Sequence, residues 1–188
     1  MNATYLDIIP TFQILEASDI EFASQAFAQK SFVKNDCIEI PGSTAQKIYF
    51  LRSGLVYSQT ADGKINWYEF EGQSFADIES VFFHQPCTHY IRCAEDSEVL
   101  WTTKRNLMQL VTTNHRWASW YASFLEEIIR RLHSYYQGLL VQDASQRYRE
   151  LIALHPGILQ RIPLGHIASY LGISQVSLSR IRAGKQKK

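Results

Sequence analysis

Between Ser174 and Lys185 the chain alternates side chains able to read or grip nucleic acid with apolar ones. Gln175, Ser177, Ser179, Arg180 and Arg182 fall around Leu178 and Ile181. A Gln amide can form paired hydrogen bonds with an adenine edge and an Arg guanidinium with a guanine edge in the major groove, whereas Ser and Lys more often hold phosphates. Ser174 suits the N-cap of a helix carrying these groups, and a helix N-terminus itself favours an anion such as phosphate. No Asp or Glu occurs from Arg161 onward, so nothing acidic opposes a polyanion there. Ser174, Gln175, Ser177, Ser179, Arg180, Arg182 and Lys185 are the candidate DNA-contacting residues. Val176 could touch a thymine methyl or simply pack.

Such a helix must be held by another. Pro163 suits the first turn of a helix whose apolar face is Ile167, Ala168 and Leu171. Gly172 can adopt the left-handed conformation that ends a helix, Ile173 is expected to plug inward, and Ser174 starts the next helix. This is the grammar of a helix-turn-helix, and the alternative is a helical hairpin with a merely soluble face. Charge agrees with the first reading. From Ala144 to Lys188 there are eight basic residues against Glu150 alone, or +7; for a net charge of +1 the first 143 residues must sum to −6. A basic module on an acidic one points to a polyanion partner for the tail alone.

Upstream, Trp117, Tyr121, Phe124, Ile128, Leu132, Tyr135 and Leu139 recur at steps of three and four, predicting a helix of roughly six turns. Its opposite face carries Glu126, Glu127, Arg130, Arg131 and Gln137. The aromatic stripe either packs in the core of a single domain or outruns it and pairs with a second copy. Gly138 to Ala144 reads as a joint, and Ser145 to His155 as a further helix stopped by Pro156-Gly157.

Between Phe32 and Thr102 the signals are those of short strands. Cys37 to Ile40, Lys47 to Ser53, Leu55 to Thr60, Ile65 to Phe70, Tyr90 to Ala94 and Val99 to Thr102 are separated by Pro41-Gly42, Gly54, Asp62-Gly63 and Glu71-Gly72. Many short strands with frequent turns predict a barrel or sandwich. Lys104 to Val111 reads as a short helix. The expected class is α+β: a β-roll or jelly-roll sensor over 1–114, a long dimerisation helix over 115–141, and an all-α helix-turn-helix domain lacking a full wing over 142–188.

Three blocks, in order, carry a resemblance: Lys47-Ile-Tyr-Phe-Leu-Arg-Ser-Gly-Leu-Val, Gly72-Gln-Ser-Phe-Ala-Asp and Ala94-Glu-Asp-Ser-Glu-Val. With the tail Ile-Ala-Ser-Tyr-Leu-Gly-Ile-Ser-Gln-Val-Ser-Leu-Ser-Arg-Ile-Arg, they resemble the Crp/Fnr regulators, particularly short-tailed members. The resemblance implies a β-roll sensor, a two-fold dimer on the long helix through Trp117, Tyr121, Phe124, Ile128, Leu132 and Tyr135, and a reader of near-palindromic DNA. It implies double-stranded DNA, RNA polymerase and an unidentified small-molecule effector as partners, and places Gln175, Ser177 and Arg180 on DNA-contacting positions. The effector pocket would include Ala76, Asp77, Glu79, Cys87 and Thr88. Where the family's cassette has Gly-Glu and then Arg-Ser or Arg-Thr, this chain has Ala76-Asp77 and Cys87-Thr88. Losing that arginine removes the charge offsetting a buried phosphate, and neither Cys87 nor His89 supplies its two-pronged donors. Cyclic-nucleotide binding is therefore not expected. Six residues after the recognition helix leave no room for a wing, and Lys185, Lys187 and Lys188 are expected to lie as a basic arm on the backbone.

Other chemistries find little support. No Ser/His/Asp order, phosphate loop or paired-carboxylate motif stands in a recognisable context, so no enzyme is expected, and Asp77 with Glu79 reads as a vestige of the nucleotide pocket. No cofactor is expected either. His84, Cys87, His89 and Cys93 are irregularly spaced, strand alternation would scatter them, and no metal site is predicted. Three cysteines, Cys37, Cys87 and Cys93, cannot build the N-terminal iron–sulfur cluster of some family members and do not suggest a disulfide framework. Buried reduced thiols are the simple reading, with a redox role for Cys87 beside His89 the other. Met1 to Pro10 lacks signal-peptide features and no run suits a membrane span, so a cytoplasmic site is expected. The rival function is a β-roll that binds a small molecule and signals to a protein partner, the basic tail being only a solubilising end.

Overall fold

The computed structural model describes Phe12 and residues 14–184. The strands are β1 (Ala28–Phe32), β2 (Cys37–Glu39), β3 (Lys47–Ser53), β4 (Val56–Gln59), β5 (Ile65–Glu69), β6 (Ser74–Phe75), β7 (Tyr90–Cys93) and β8 (Ser97–Thr103). They form two antiparallel sheets of order β1-β8-β3-β6 and β2-β7-β4-β5. The helices are α1 (Ala17–Phe22), α2 (Ile78–Phe83), α3 (Lys104–Thr113), α4 (His115–Val141), α5 (Ala144–Leu154), α6 (Ile158–Arg161), α7 (Leu164–Leu171) and α8 (Gln175–Arg182).

Both sheets are covered on both faces, which explains why β3 reads as the continuous apolar run Ile48-Tyr-Phe-Leu51 rather than as clean alternation. Side chains still alternate in direction. Tyr49 and Leu51 point into the roll, where they meet Val56, Phe75, Ile91, Cys93 and Val99. Ile48 and Phe50 face the other way, with Leu100, onto Trp117, Trp120 and Phe124 of α4 and Leu107 and Leu110 of α3. On the second sheet, Leu55, Tyr57, Ile65, Tyr68 and Phe70 share a third cluster with Leu151, Ile158, Ile162, Ile167, Leu171 and Leu178 of the C-terminal helices.

Several expectations are corrected. β1, β6, α1 and α2 carry no clear sequence signal; β1 has only Phe32 buried and exists because its backbone pairs with β8. The expected joint at Gly138 to Ala144 is narrower, since α4 runs through Gly138 to Val141. The break falls at Gln142-Asp143, where a capping box ends the continuity: Gln146 N donates to Asp143 Oδ1 at 2.8 Å and Asp143 N to Gln146 Oε1 at 2.9 Å. Arg131, expected on the exposed face, is ion-paired with Glu69 of β5.

The same helix divides its apolar residues between two faces. Trp117 and Phe124 are buried within their own chain, with Tyr121 and Ile128 packed against the same cluster. Trp117 and Phe124 are therefore spent on the β-roll, while Tyr121 and Ile128 are half-buried against it and Leu132 and Tyr135 are exposed. Trp120, fully buried, stacks on Phe124 with ring centroids 5.0 Å apart. Trp120→Ala should cost about 3–5 kcal/mol through the cavity it leaves, read as a lower urea midpoint with an unchanged m-value.

Candidate nucleic-acid interface and effector pocket

The α7–α8 unit is built by backbone chemistry. Gly172 sits at φ 69° and ψ 30°, and the turn closes through Ile173 N to Ala168 O at 3.0 Å and Gly172 N to Ser169 O at 3.0 Å, a left-handed helix stop. Ser174 then caps α8, its Oγ accepting from Ser177 N at 3.1 Å. Leu178 is buried beneath, Ile173 and Ile181 are half-buried, and Ser174, Gln175, Ser179, Arg180 and Arg182 are exposed, with Ser177 half-exposed. Val176 is 62% exposed, so it does not pack inward. Lys185, Lys187 and Lys188 lie outside the described residues. A residue that the motif reading passed over is Gly165: a Cβ there would lie 2.5 Å from Gln175 Nε2, so the glycine lets the Gln175 amide rest against α7.

The other face of α7 is docked on the roll. His166 packs on Tyr57 with centroids 5.3 Å apart, Tyr170 meets Tyr68 edge-on at 5.5 Å, and Ile65 N donates to Ser169 Oγ at 2.9 Å. Burial holds the His166 imidazole below its usual pKa, and pushes the Tyr170 hydroxyl up to about 12. Two of the basic residues counted toward a polyanion are committed elsewhere. Arg161 is enclosed by Glu71, Glu95 and the Gly54 carbonyl, and Arg147 donates to Leu171 O at 2.8 Å. The exposed arginines of the described tail are Arg149 on α5 and Arg180 and Arg182 on α8.

The expected effector residues differ in exposure, with Asp77 and Cys87 buried, Ala76 half-buried, and Glu79 and Thr88 exposed. Asp77, buried, caps α2 by accepting from Ser80 N at 2.9 Å, while its second oxygen is buried with no hydrogen-bond partner among the described residues. Cys87 is buried, its sulfur accepting from Ser43 Oγ at 3.5 Å, and Ala76 packs on the cluster under α4. Glu79 and Thr88 are exposed, the latter joined to His89 Nδ1 at 2.7 Å. Backbone donors beside the cassette are used: Cys87 N goes to Ser43 O at 2.8 Å and Ala45 N to Ser80 Oγ at 2.7 Å. Inside the roll, Tyr49 stacks on Phe75 at 4.9 Å and donates to Glu39 Oε1 at 2.8 Å. Burial raises the Glu39 carboxyl above the usual range, and Asp77 adds to that rise. This interior is filled by rings and lined by carboxyls, the wrong sign for a phosphate. A redox role for Cys87 loses the access it requires. Among the described residues no three His, Cys, Asp or Glu side chains gather as a metal site.

The antiparallel roll with its helical cassette at Asp77–Phe83 decides the comparison. Residues 29–114 match the cyclic nucleotide-binding domain. No curated protein sequence matches the chain significantly. Among solved structures, the chain is similar to the catabolite activator protein of Thermus thermophilus, at 21% identity and TM-score 0.55, over 93% of this chain and 85% of that one. FixK2 from Bradyrhizobium japonicum is similar at 19% identity and TM-score 0.64, over 84% of this chain and 83% of its own. The c-di-GMP responsive global regulator CLP from Xanthomonas campestris gives 17% identity and TM-score 0.67, over 90% of this chain and 91% of its own. The likeness is one of fold, and it extends past the cyclic nucleotide-binding domain into the C-terminal helices. Among the described residues no helix is long and apolar enough to cross a membrane.

Where α4 crosses the roll, burial pushes the Glu69 carboxyl up to about 7, with Arg131 acting against the rise. Between its ordinary value of 4.5 and about 7 the folded chain holds a proton that the unfolded chain has released. Stability should therefore fall as pH rises through that window, and Glu69→Gln should flatten the slope in denaturant titrations run across it.

Proposed function

We propose that the chain is a sequence-specific DNA-binding transcription regulator of the Crp/Fnr type, acting as a homodimer in the cytoplasm, with a sensor roll that does not take up cyclic AMP and no catalytic role. The observation that carries this reading is the state of α8: apolar residues locked beneath, Gln175, Ser179, Arg180 and Arg182 exposed above, and no acidic residue from 161 onward. A helix of this character is suited to the major groove, with Ser174 and Ser177 at its N-terminus toward the phosphates.

A single α8 reads only a half-site, and α4 supplies the means of pairing. Leu125, Ile129, Leu132, Tyr136 and Leu139 are all exposed and follow one another at steps of four, three, four and three. That is an a/d repeat with Ile129 at a and Leu125, Leu132 and Leu139 at d, the pattern that favours two parallel helices. The seam shares Leu132 and Leu139 with the stripe read in the sequence and otherwise lies one residue round from it. Ile129→Glu with Leu132→Glu should turn a dimer into monomers in sedimentation and abolish protection of the second half-site.

Selection of bound sites from random duplexes should yield a near-palindrome with half-sites ~34 Å apart. Arg180→Ala should lose ~1–3 kcal/mol and relax preference at one base position, and cyclic AMP should leave operator affinity unchanged. Equal, salt-erased binding to every duplex would sink the reading in favour of a sensor that signals to a protein partner.

A further inference from the structure

Three consecutive residues at the end of β5 each hold a different C-terminal element. Glu69 pairs with Arg131 of α4. The Phe70 ring lies on the His155 imidazole at 3.5 Å and 8°, just past α5. Glu71 takes Arg161 at the end of α6, receiving Nη2 at 2.6 Å and Nη1 at 3.3 Å. Glu95, from the β7–β8 turn, closes on the same guanidinium with Nε at 3.1 Å and Nη2 at 2.6 Å, and Gly54 O accepts from Nη2 at 3.0 Å. All three guanidinium nitrogens are thus engaged, from three turns of the roll. Although burial pushes the Glu71 carboxyl up, Arg161 pulls it below the usual range.

Past Glu71 the chain enters the sensor interior directly. Gly72 N donates to Leu51 O at 2.8 Å, Phe75 stacks on Tyr49, and Asp77 caps α2. Residues 69 to 77 are therefore one short segment with the C-terminal helices at one end and the cassette at the other. Covalently, the helices beyond α4 hang on Gln142-Asp143, the break between α4 and α5.

We propose that Arg161, clasped by Glu71 and Glu95, is a positioning residue that fixes the orientation of α7 and α8 against the roll; this rests on the DNA-reading function proposed above. Two α8 helices must meet two half-sites at one separation. A unit left swinging on a two-residue break loses that orientation as an entropic cost on binding, whereas a clasped unit has lost it on folding. Exposed ion pairs contribute little singly, but two carboxylates gripping one planar guanidinium set an angle as well as a distance, which a Lys ammonium does not.

The test is Arg161→Ala, with Glu95→Gln as a second variant that leaves the C-terminal helices untouched. Hydrogen exchange at the Ile65 amide, which donates to Ser169 Oγ across the same interface, should accelerate in both. Affinity for the selected duplex should fall about tenfold, with base preference and the salt slope unchanged. A slope reduced by about 1 would make Arg161 a phosphate contact and overturn the proposal. Unchanged Ile65 exchange with unchanged affinity would overturn it as well. If the wild-type protein fails to distinguish any duplex, the DNA reading falls, and Ile65 exchange alone then decides the clasp: faster upholds it, unchanged overturns it.

Discussion

The outer face of the β2-β7-β4-β5 sheet is apolar, and among the described residues the C-terminal helices cover it. Tyr57, Ile65, Tyr68 and Phe70 are each less than a tenth exposed because Leu151, Ile158, Ile162, Ile167 and Leu171 lie against them. Removing that cover would return several large side chains to water, at about 1.5–3 kcal/mol for each one fully uncovered. The roll and the α7–α8 unit are consequently halves of one hydrophobic core, although the chain between them narrows to a two-residue break. With α7 committed to the sheet and to the apolar cluster, α8 keeps a solvent-facing side that carries Gln175, Ser179, Arg180 and Arg182.

The same burial explains which parts of the fold were legible in the sequence. β3 appears with its expected limits because an Ile-Tyr-Phe-Leu run bounded by Gly54 has few other fates, and the turn at Gly172 because one glycine between two apolar periodicities is a local signal. β1 was missed because it is an edge strand of mostly polar residues whose reason for existing, pairing with β8, lies some 70 positions away in the chain. In α4, periodicity identified an apolar helix but not its two faces. A helix buried along one side on its own roll and apolar along another satisfies the three-and-four spacing twice, about 100° apart at 3.6 residues per turn. The stripe through Trp117, Phe124 and Ile128 is the inner one; that through Leu125, Ile129 and Leu132 is the outer.

Charge was the least transparent property. Counting eight basic residues in the tail correctly separates it from an acidic remainder, yet a count assigns every cation to the surface. Arg161 and Arg147 instead serve contacts inside the chain, and Arg131, outside the tail, does the same. The acidic partners are part of the reason the first 143 residues are negative: Glu69, Glu71 and Glu95 belong to that sum and sit at the interface with the helices. The pocket carries the complementary lesson. The missing arginine at Cys87-Thr88 signalled a cassette without its phosphate clamp, and the structure adds Tyr49 stacked on Phe75, with Glu39 bonded to the tyrosine hydroxyl, in the space between the sheets. Those residues lie far from the cassette in sequence, and only folding brings them beside it.

The interface between roll and tail divides its work between two kinds of contact. Apolar burial supplies most of the free energy but little direction, since a ring on a sheet can slide at small cost. Hydrogen bonds from Arg161 to Glu71 and Glu95, and from Ile65 N to Ser169 Oγ, supply direction with modest net free energy, because each replaces a bond to water. A wholly apolar joint would hold the C-terminal helices without defining their angle, and a wholly polar one would let them go.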